Sequence, residues 1–134
     1  MNIEENLKKR ILVLDGAMGT MIQNHNLKEE DYRGERFINH SCALKGNNDL
    51  LSITQPEIIK NIHQDYLEAG ADIIETNTFS STSVAMSDYQ MEDLAYELNY
   101  KSAKIAKEAT QKYSIKTPDR PRYVAGSIAP TNKT

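Results

Sequence analysis

The chain of 134 residues contains a single cysteine, Cys42, and no tryptophan. One thiol excludes an internal disulfide framework and cannot by itself make a cysteine-built zinc site. Positive charge is not in excess: 16 Lys and Arg against 19 Asp and Glu give a formal net charge of −3. The basic footprint of a nucleic-acid binder is therefore missing, and so is a polybasic membrane patch. No apolar run approaches the roughly 20 residues that span a bilayer. Met1 to Arg10 carries Glu4, Glu5, Lys8, Lys9 and Arg10 without an apolar stretch, unlike a secretory leader, so the cytoplasm is the expected compartment. Repeats of solenoid length, low-complexity segments and Gly-rich phosphate loops are also lacking. What remains is an ordinary globular composition, 39% hydrophobic and 26% charged, of a size for one domain.

The most informative stretch is Ala71-Asp72-Ile73-Ile74-Glu75-Thr76-Asn77-Thr78-Phe79-Ser80. Its first half is a short, branched, apolar run suited to a buried strand, and its second half turns polar. A parallel strand that ends in hydroxyls, an amide and a carboxylate is how α/β proteins build ligand sites. The pattern recurs. Arg10–Leu14 reads as a first strand ending in Asp15-Gly16-Ala17-Met18-Gly19-Thr20, where two glycines permit a tight turn close to a ligand. Asp49–Ile53 reads as a second strand, and Tyr123–Ala125 as a fourth that leaves through Gly126 and Ser127.

Between the strands, Thr54 as N-cap, Pro56 in the first turn and Glu57 mark a helix start. Ile58, Ile59, Ile62, Tyr66 and Ala69 form its apolar face and Gly70 its stop. His63 falls among Lys60, Gln64 and Asp65 and is expected on the solvent side. Met91 is expected to open a long helix with Leu94, Ala95, Leu98, Ala103, Ile105, Ala106, Ala109 and Tyr113 as its stripe, and with a Glu97–Lys101 pair on its outer face. Residues 25–48 hold no period. Their charges, among them Glu29, Arg33 and Arg36, read as a solvated surface, and a connection of this length as a functional loop or lid. His40 and Cys42 stand two apart there, two ligands short of a structural zinc site.

Alternating strands and helices predict right-handed βαβ units and a parallel sheet. The four exits, Asp15-Gly16, Ser52–Thr54, Glu75–Thr78 and Gly126-Ser127, then share one rim. A (β/α)8 barrel takes eight strands and about 250 residues. Four strands in residues 1–134 leave two architectures: a small open sheet, or about four β/α units forming the first half of a barrel.

Five blocks carry a resemblance: Val13–Thr20, Leu44–Asp49, Ser52–Pro56, Gly70–Thr82 and Ala125–Asn132. In order and spacing they resemble the N-terminal part of the homocysteine-binding barrel of cobalamin-dependent methionine synthases, from about Ile11 to the last residue. The resemblance implies the first half of a (β/α)8 barrel of the homocysteine S-methyltransferase type. It also implies an enzyme that moves a methyl group from methylcobalamin, recharged by 5-methyltetrahydrofolate, to the thiolate of zinc-bound homocysteine. Folate-, cobalamin- and activation-type domains would be the partners. Carried over residue by residue, Asp15 would accept from the substrate ammonium, and Gly16, Gly19 and Thr20 would let backbone approach the amino acid. Asn77, Thr78, Phe79 and Ser80 would line the substrate wall with donors toward the carboxylate, and Gly126 and Ser127 would complete the rim. The family's three zinc-ligand cysteines, and a further glutamate for the amino group, match no position here; Cys42 is not one of them. The expectation is thus a substrate-binding portion without zinc, methyl transfer or catalytic residues of its own, prone to associate through open strand edges. The alternatives are a cobalamin-independent thiol S-methyltransferase and a non-catalytic amino-acid-binding or assembly module.

Overall fold

The computed structural model describes residues 2–133. Helix α1 (Ile3–Leu7) is capped reciprocally by Asn2 and Glu5. Its buried residue is Asn6, whose amide donates to the Tyr123 hydroxyl, while Leu7 points outward. Then come α2 (Met18–Gln23), α3 (Glu29–Arg33), α4 (Leu51–Thr54), α5 (Pro56–Glu68), β1 (Ile73–Glu75), α6 (Ser83–Met86), α7 (Ala95–Lys116) and β2 (Tyr123–Ala125). β1 and β2 pair in parallel, with Ile73 opposite Tyr123 and Glu75 opposite Ala125.

Two of the four expected strands differ. Arg10–Leu14 is extended but bridges β1 at a single position, Leu14 to Ile73, also in parallel. The Val13 carbonyl accepts from both Asp72 and Ile73, and Asp15 N–H donates to Ile73. Among the described residues nothing packs over Ile11, which is 87% exposed instead of buried. Asp49–Ile53 is helical: a 3₁₀ turn over Asn48–Leu50 runs into α4. A short apolar run cannot separate strand from buried helix by period alone, and here both Leu50 and Leu51 find core partners from a helix. Among the described residues the sheet therefore has three parallel segments, with β1 in the middle.

Pro56 does open α5, but the N-cap is Gln55, not Thr54. The residue before a proline is pushed out of the helical region, which ends α4 and starts α5 at one step. Thr54 instead bonds back to the Leu50 carbonyl. At the far end Ala69 caps the helix and Gly70, at φ +109°, takes the left-handed position. Gly70 N–H donates to Leu67 and Ala71 N–H to Tyr66, closing the helix directly into β1.

α5 and α7 cover the sheet. Ile22, Leu44, Leu50, Leu51, Ile59, Ile62, Met86 and Leu98 make the larger core cluster, and Leu67, Ile74, Ala106 and Ala109 the smaller. α7 begins at Ala95 after a 3₁₀ turn, and its stripe is shifted: Ser102 and Thr110 are buried where Ala103 is exposed. Glu97 pairs with Arg36 in a two-pronged ion pair at 2.6 and 2.9 Å in place of Lys101. His63 is fully buried, contrary to expectation, and neither ring nitrogen has a partner. Residues 25–48 are not simply solvated either. The Glu29 carboxylate accepts from Leu44 and Lys45 N–H, and Arg33 donates to the carbonyls of His40 and Cys42.

One buried carboxylate ties the three strand starts together. Asp72, just before β1, takes both guanidinium nitrogens of Arg10 at 3.0 and 2.6 Å, Arg120 Nε at 3.1 Å and Val13 N–H at 2.9 Å. Hydrogen bonds from Arg10, chiefly, and from Val13 and Arg120 hold its carboxyl well below the usual range. Fixing the amino ends of the strands places their carboxyl ends, where the polar residues lie.

Candidate substrate site

The three strand exits meet at a cavity of about 530 Å³. Asp15, Gly16, Ala17 and Met18 form one wall, Glu75 to Phe79 a second, and Ser127 to Pro130 a third. A smaller cavity of about 340 Å³ adjoins it and shares Ala17, Met18, Asn77 and Phe79; Gly19, Gly46–Asp49, Ser80 and Tyr89 complete its lining. Eight of the ten residues expected at the site thus line one or the other. Thr20 is exposed on α2, and Gly126 faces open space, so neither reaches the lining.

Asp15 is held from two sides. Its N–H donates to Ile73, and its Oδ2 accepts from Glu75 N–H at 3.1 Å. Its Oδ1 is buried and has no partner. Burial, reinforced by the nearby Glu75 carboxylate, pushes the Asp15 carboxyl up to about 6. A half-buried acid with one unmatched oxygen has room for a further hydrogen-bond donor on its cavity side.

The second wall is a hydrogen-bonded lattice. Thr76 and Thr78 share a hydroxyl bond of 2.6 Å; Thr78 donates to the Ser127 carbonyl and Ser127 N–H donates to Thr76, which locks the β1 exit to the β2 exit. Asn77 spends its amide on the Asn48 carbonyl and the Ser52 hydroxyl, and Ser102 donates to Ser52 and to the Asn77 carbonyl. Ser80 N–H donates to Asp49 at 2.7 Å. The Asn77 side-chain amide and the Ser80 N–H are therefore engaged within the protein, while the Ser80 and Tyr89 hydroxyls also lie in the smaller cavity's lining. Phe79 stands 66% exposed between the two cavities.

Asp49 and Tyr66 carry no site role in the sequence pattern, and Glu75 and Thr76 stand there only as part of a polar strand exit. Asp49 was hidden by its place at the head of an apolar run; its buried Oδ2, accepting from Ser80 and Ser81, fixes the Phe79 wall. Glu75 and Thr76 had a readable signal, because both lie in the polar half of the β1 exit. His40 and Cys42 converge on the Tyr89 carbonyl, at 2.7 and 3.2 Å. Among the described residues no group of three or more His, Cys, Asp or Glu is arranged to hold a metal ion, and no helix is long and apolar enough to cross a membrane.

Parallel strands covered by helices, with their polar exits gathered around one cavity, define an α/β protein with its site at the carboxyl ends of the strands. The profile of one family, Homocysteine S-methyltransferase, matches residues 12–134, and the chain belongs to that family. Its fold is similar to crystal structures of the homocysteine methyltransferase MmuM from Escherichia coli. The oxidised form matches with 27% identity and a TM-score of 0.71 over 92% of this chain and 39% of that one. The metallated form matches with 24% identity and a TM-score of 0.72 over 96% of this chain and 41% of that one. The chain spans about two fifths of the length of the solved structures it matches.

Proposed function

We propose that this chain forms the amino-acid-holding part of a homocysteine S-methyltransferase, and that the enzyme it serves is a cobalamin-dependent methionine synthase. The observation that carries the reading is Asp15: a half-buried carboxyl with one unpartnered oxygen, at a cavity where three strand exits converge. An α-ammonium group supplies the missing donor and favours the ionised carboxylate, lowering its midpoint again. The Thr76–Thr78–Ser127 lattice keeps the opposite wall rigid, so the ligand meets a preformed surface. The Leu44–Asp49 and Gly70–Thr82 blocks favour the methionine synthase branch; methylcobalamin, the folate donor and the further domains belong to that proposal. So does the wider architecture, in which the three parallel segments are part of a (β/α)8 barrel and exposed Ile11 and Ile128 lie where further units pack. The likeness to MmuM, a homocysteine methyltransferase, supports the homocysteine part of this reading and is equally compatible with a second one, a cobalamin-independent thiol S-methyltransferase.

Zinc, which the resemblance implies would acidify the substrate thiol, does not fit the described residues, among which no group of three or more His, Cys, Asp or Glu is arranged to hold it. Cys42 donates to a backbone carbonyl beside His40, away from any third ligand. The chain's own contribution is therefore to bind and orient the amino-acid end.

Calorimetric titration of L-homocysteine into the chain, with and without zinc, tests this. The expected result is binding that zinc leaves unchanged and that Asp15→Asn weakens about tenfold, the scale of one charge-assisted hydrogen bond. Equal affinity in the variant would remove the proposal's basis. Affinity should also drop below a pH of about 6, as Asp15 takes up its proton.

A further inference from the structure

We infer that Tyr66 is the positioning residue for Asp15, bracing the Asp15–Gly16–Ala17 turn from beneath through its hydroxyl and its ring. The inference rests on the amino-acid reading of the Asp15 cavity given above. Tyr66 lies on α5, outside the cavity lining, and reaches the turn by two contacts. Its hydroxyl donates to the Ala17 carbonyl at 2.8 Å. The hydroxyl end of its ring packs against Gly16: a Cβ there would stand 3.1 Å from the Tyr66 oxygen and 3.2 Å from Cε1, tighter than most Cβ contacts. A side chain at Gly16 would therefore press on the end of the Tyr66 ring, which would have to shift by a few tenths of an ångström to admit it.

The same residue also anchors the strand that holds Asp15 from its other side. The Tyr66 carbonyl accepts from Ala71 N–H at 3.0 Å, at the point where α5 closes into β1. β1 in turn receives the Asp15 N–H at Ile73 and donates Glu75 N–H to the carboxylate. Asp15 is therefore fixed through β1 and through the turn that follows it, and Tyr66 is common to both supports. Burial raises the Tyr66 phenol, and the Asp15 charge adds to the shift, consistent with their proximity.

Tyr66→Phe removes the hydroxyl and keeps the ring, so the helix and core should persist with little change in melting temperature. The expected result is an approximately fivefold loss of affinity for L-homocysteine, the usual scale of one neutral hydrogen bond. Carbon-detected NMR should show the Asp15 titration midpoint moving down from about 6 as water reaches a loosened turn. In an Asp15→Asn background the same substitution should alter affinity less than twofold, because its effect passes through Asp15. Gly16→Ala, which pushes the ring away while leaving the hydroxyl in the chain, should move the midpoint in the same direction. An unchanged Asp15 midpoint in both variants would overturn the inference, as would a full fivefold loss on top of Asp15→Asn. Should Asp15→Asn leave homocysteine binding intact, the functional reading fails, and the Asp15 midpoint still decides the role of Tyr66.

Discussion

Asp15 holds a proton more tightly in the folded chain than in the unfolded one, because burial raises its carboxyl from near 4 to about 6. Folding takes up a proton between those values, so this group's contribution to stability falls as pH rises from about 4 to about 6. His63 works in the opposite sense. Burial lowers it to about 4 from near 6.5, the unfolded chain binds the proton, and stability rises as pH climbs through that window. Each contribution is on the order of 1–3 kcal/mol, the Asp15 figure discounted toward the low end for its partial exposure. They oppose each other, and because the Asp15 share is discounted the His63 share is the larger, so the pair makes stability in urea rise modestly between pH 4 and 6.5. Asp15→Asn should unmask stability that increases with pH, and His63→Leu stability that decreases. Parallel profiles for the two variants would refute this account. Asp15 was legible because an Asp-Gly turn after an apolar run marks a strand exit. His63 was not, although it lies four residues from both Ile59 and Leu67; its polar neighbours in sequence concealed a position that the helical period puts on the buried face.

At the scale of elements, helices α5 and α7 and strands β1 and β2 could be read from apolar period and stop signals, since Pro56 and Gly70 act through the backbone and leave little choice. Asp49–Ile53 could not, because a five-residue apolar run fits a strand or a buried turn of helix equally well and tertiary contact decides. The Asp72 clamp was invisible for a different reason: Arg10, Asp72 and Arg120 are far apart in sequence and meet only when the strands align. Removing its charge with Asp72→Asn leaves two arginines facing a neutral group. The expected cost is about 1–3 kcal/mol in urea denaturation, below the scale for a fully buried ion pair because both arginines are more than a third exposed. A loss below 1 kcal/mol would mean the strand starts are held by backbone pairing alone. The same substitution should leave homocysteine affinity in the surviving folded fraction within twofold, because the clamp and the cavity sit at opposite ends of the strands.

For the molecule as a whole, eight of the ten residues read from the sequence line the two adjoining cavities. Thr20 and Gly126 were carried along by their neighbours: one faces outward on α2 and the other lies past the end of β2 without touching the lining. The central claim is that the carboxyl ends of the parallel segments form a binding surface for the amino-acid end of homocysteine. Amide NMR of the uniformly labelled chain, titrated with L-homocysteine under reducing conditions at pH 7, tests it most directly. The account predicts saturable shifts concentrated at Asp15–Met18, Glu75–Phe79 and Ser127–Ala129. Shifts centred on Arg10, Asp72 and Arg120 at the other end of the strands, or none at saturating ligand, would contradict it.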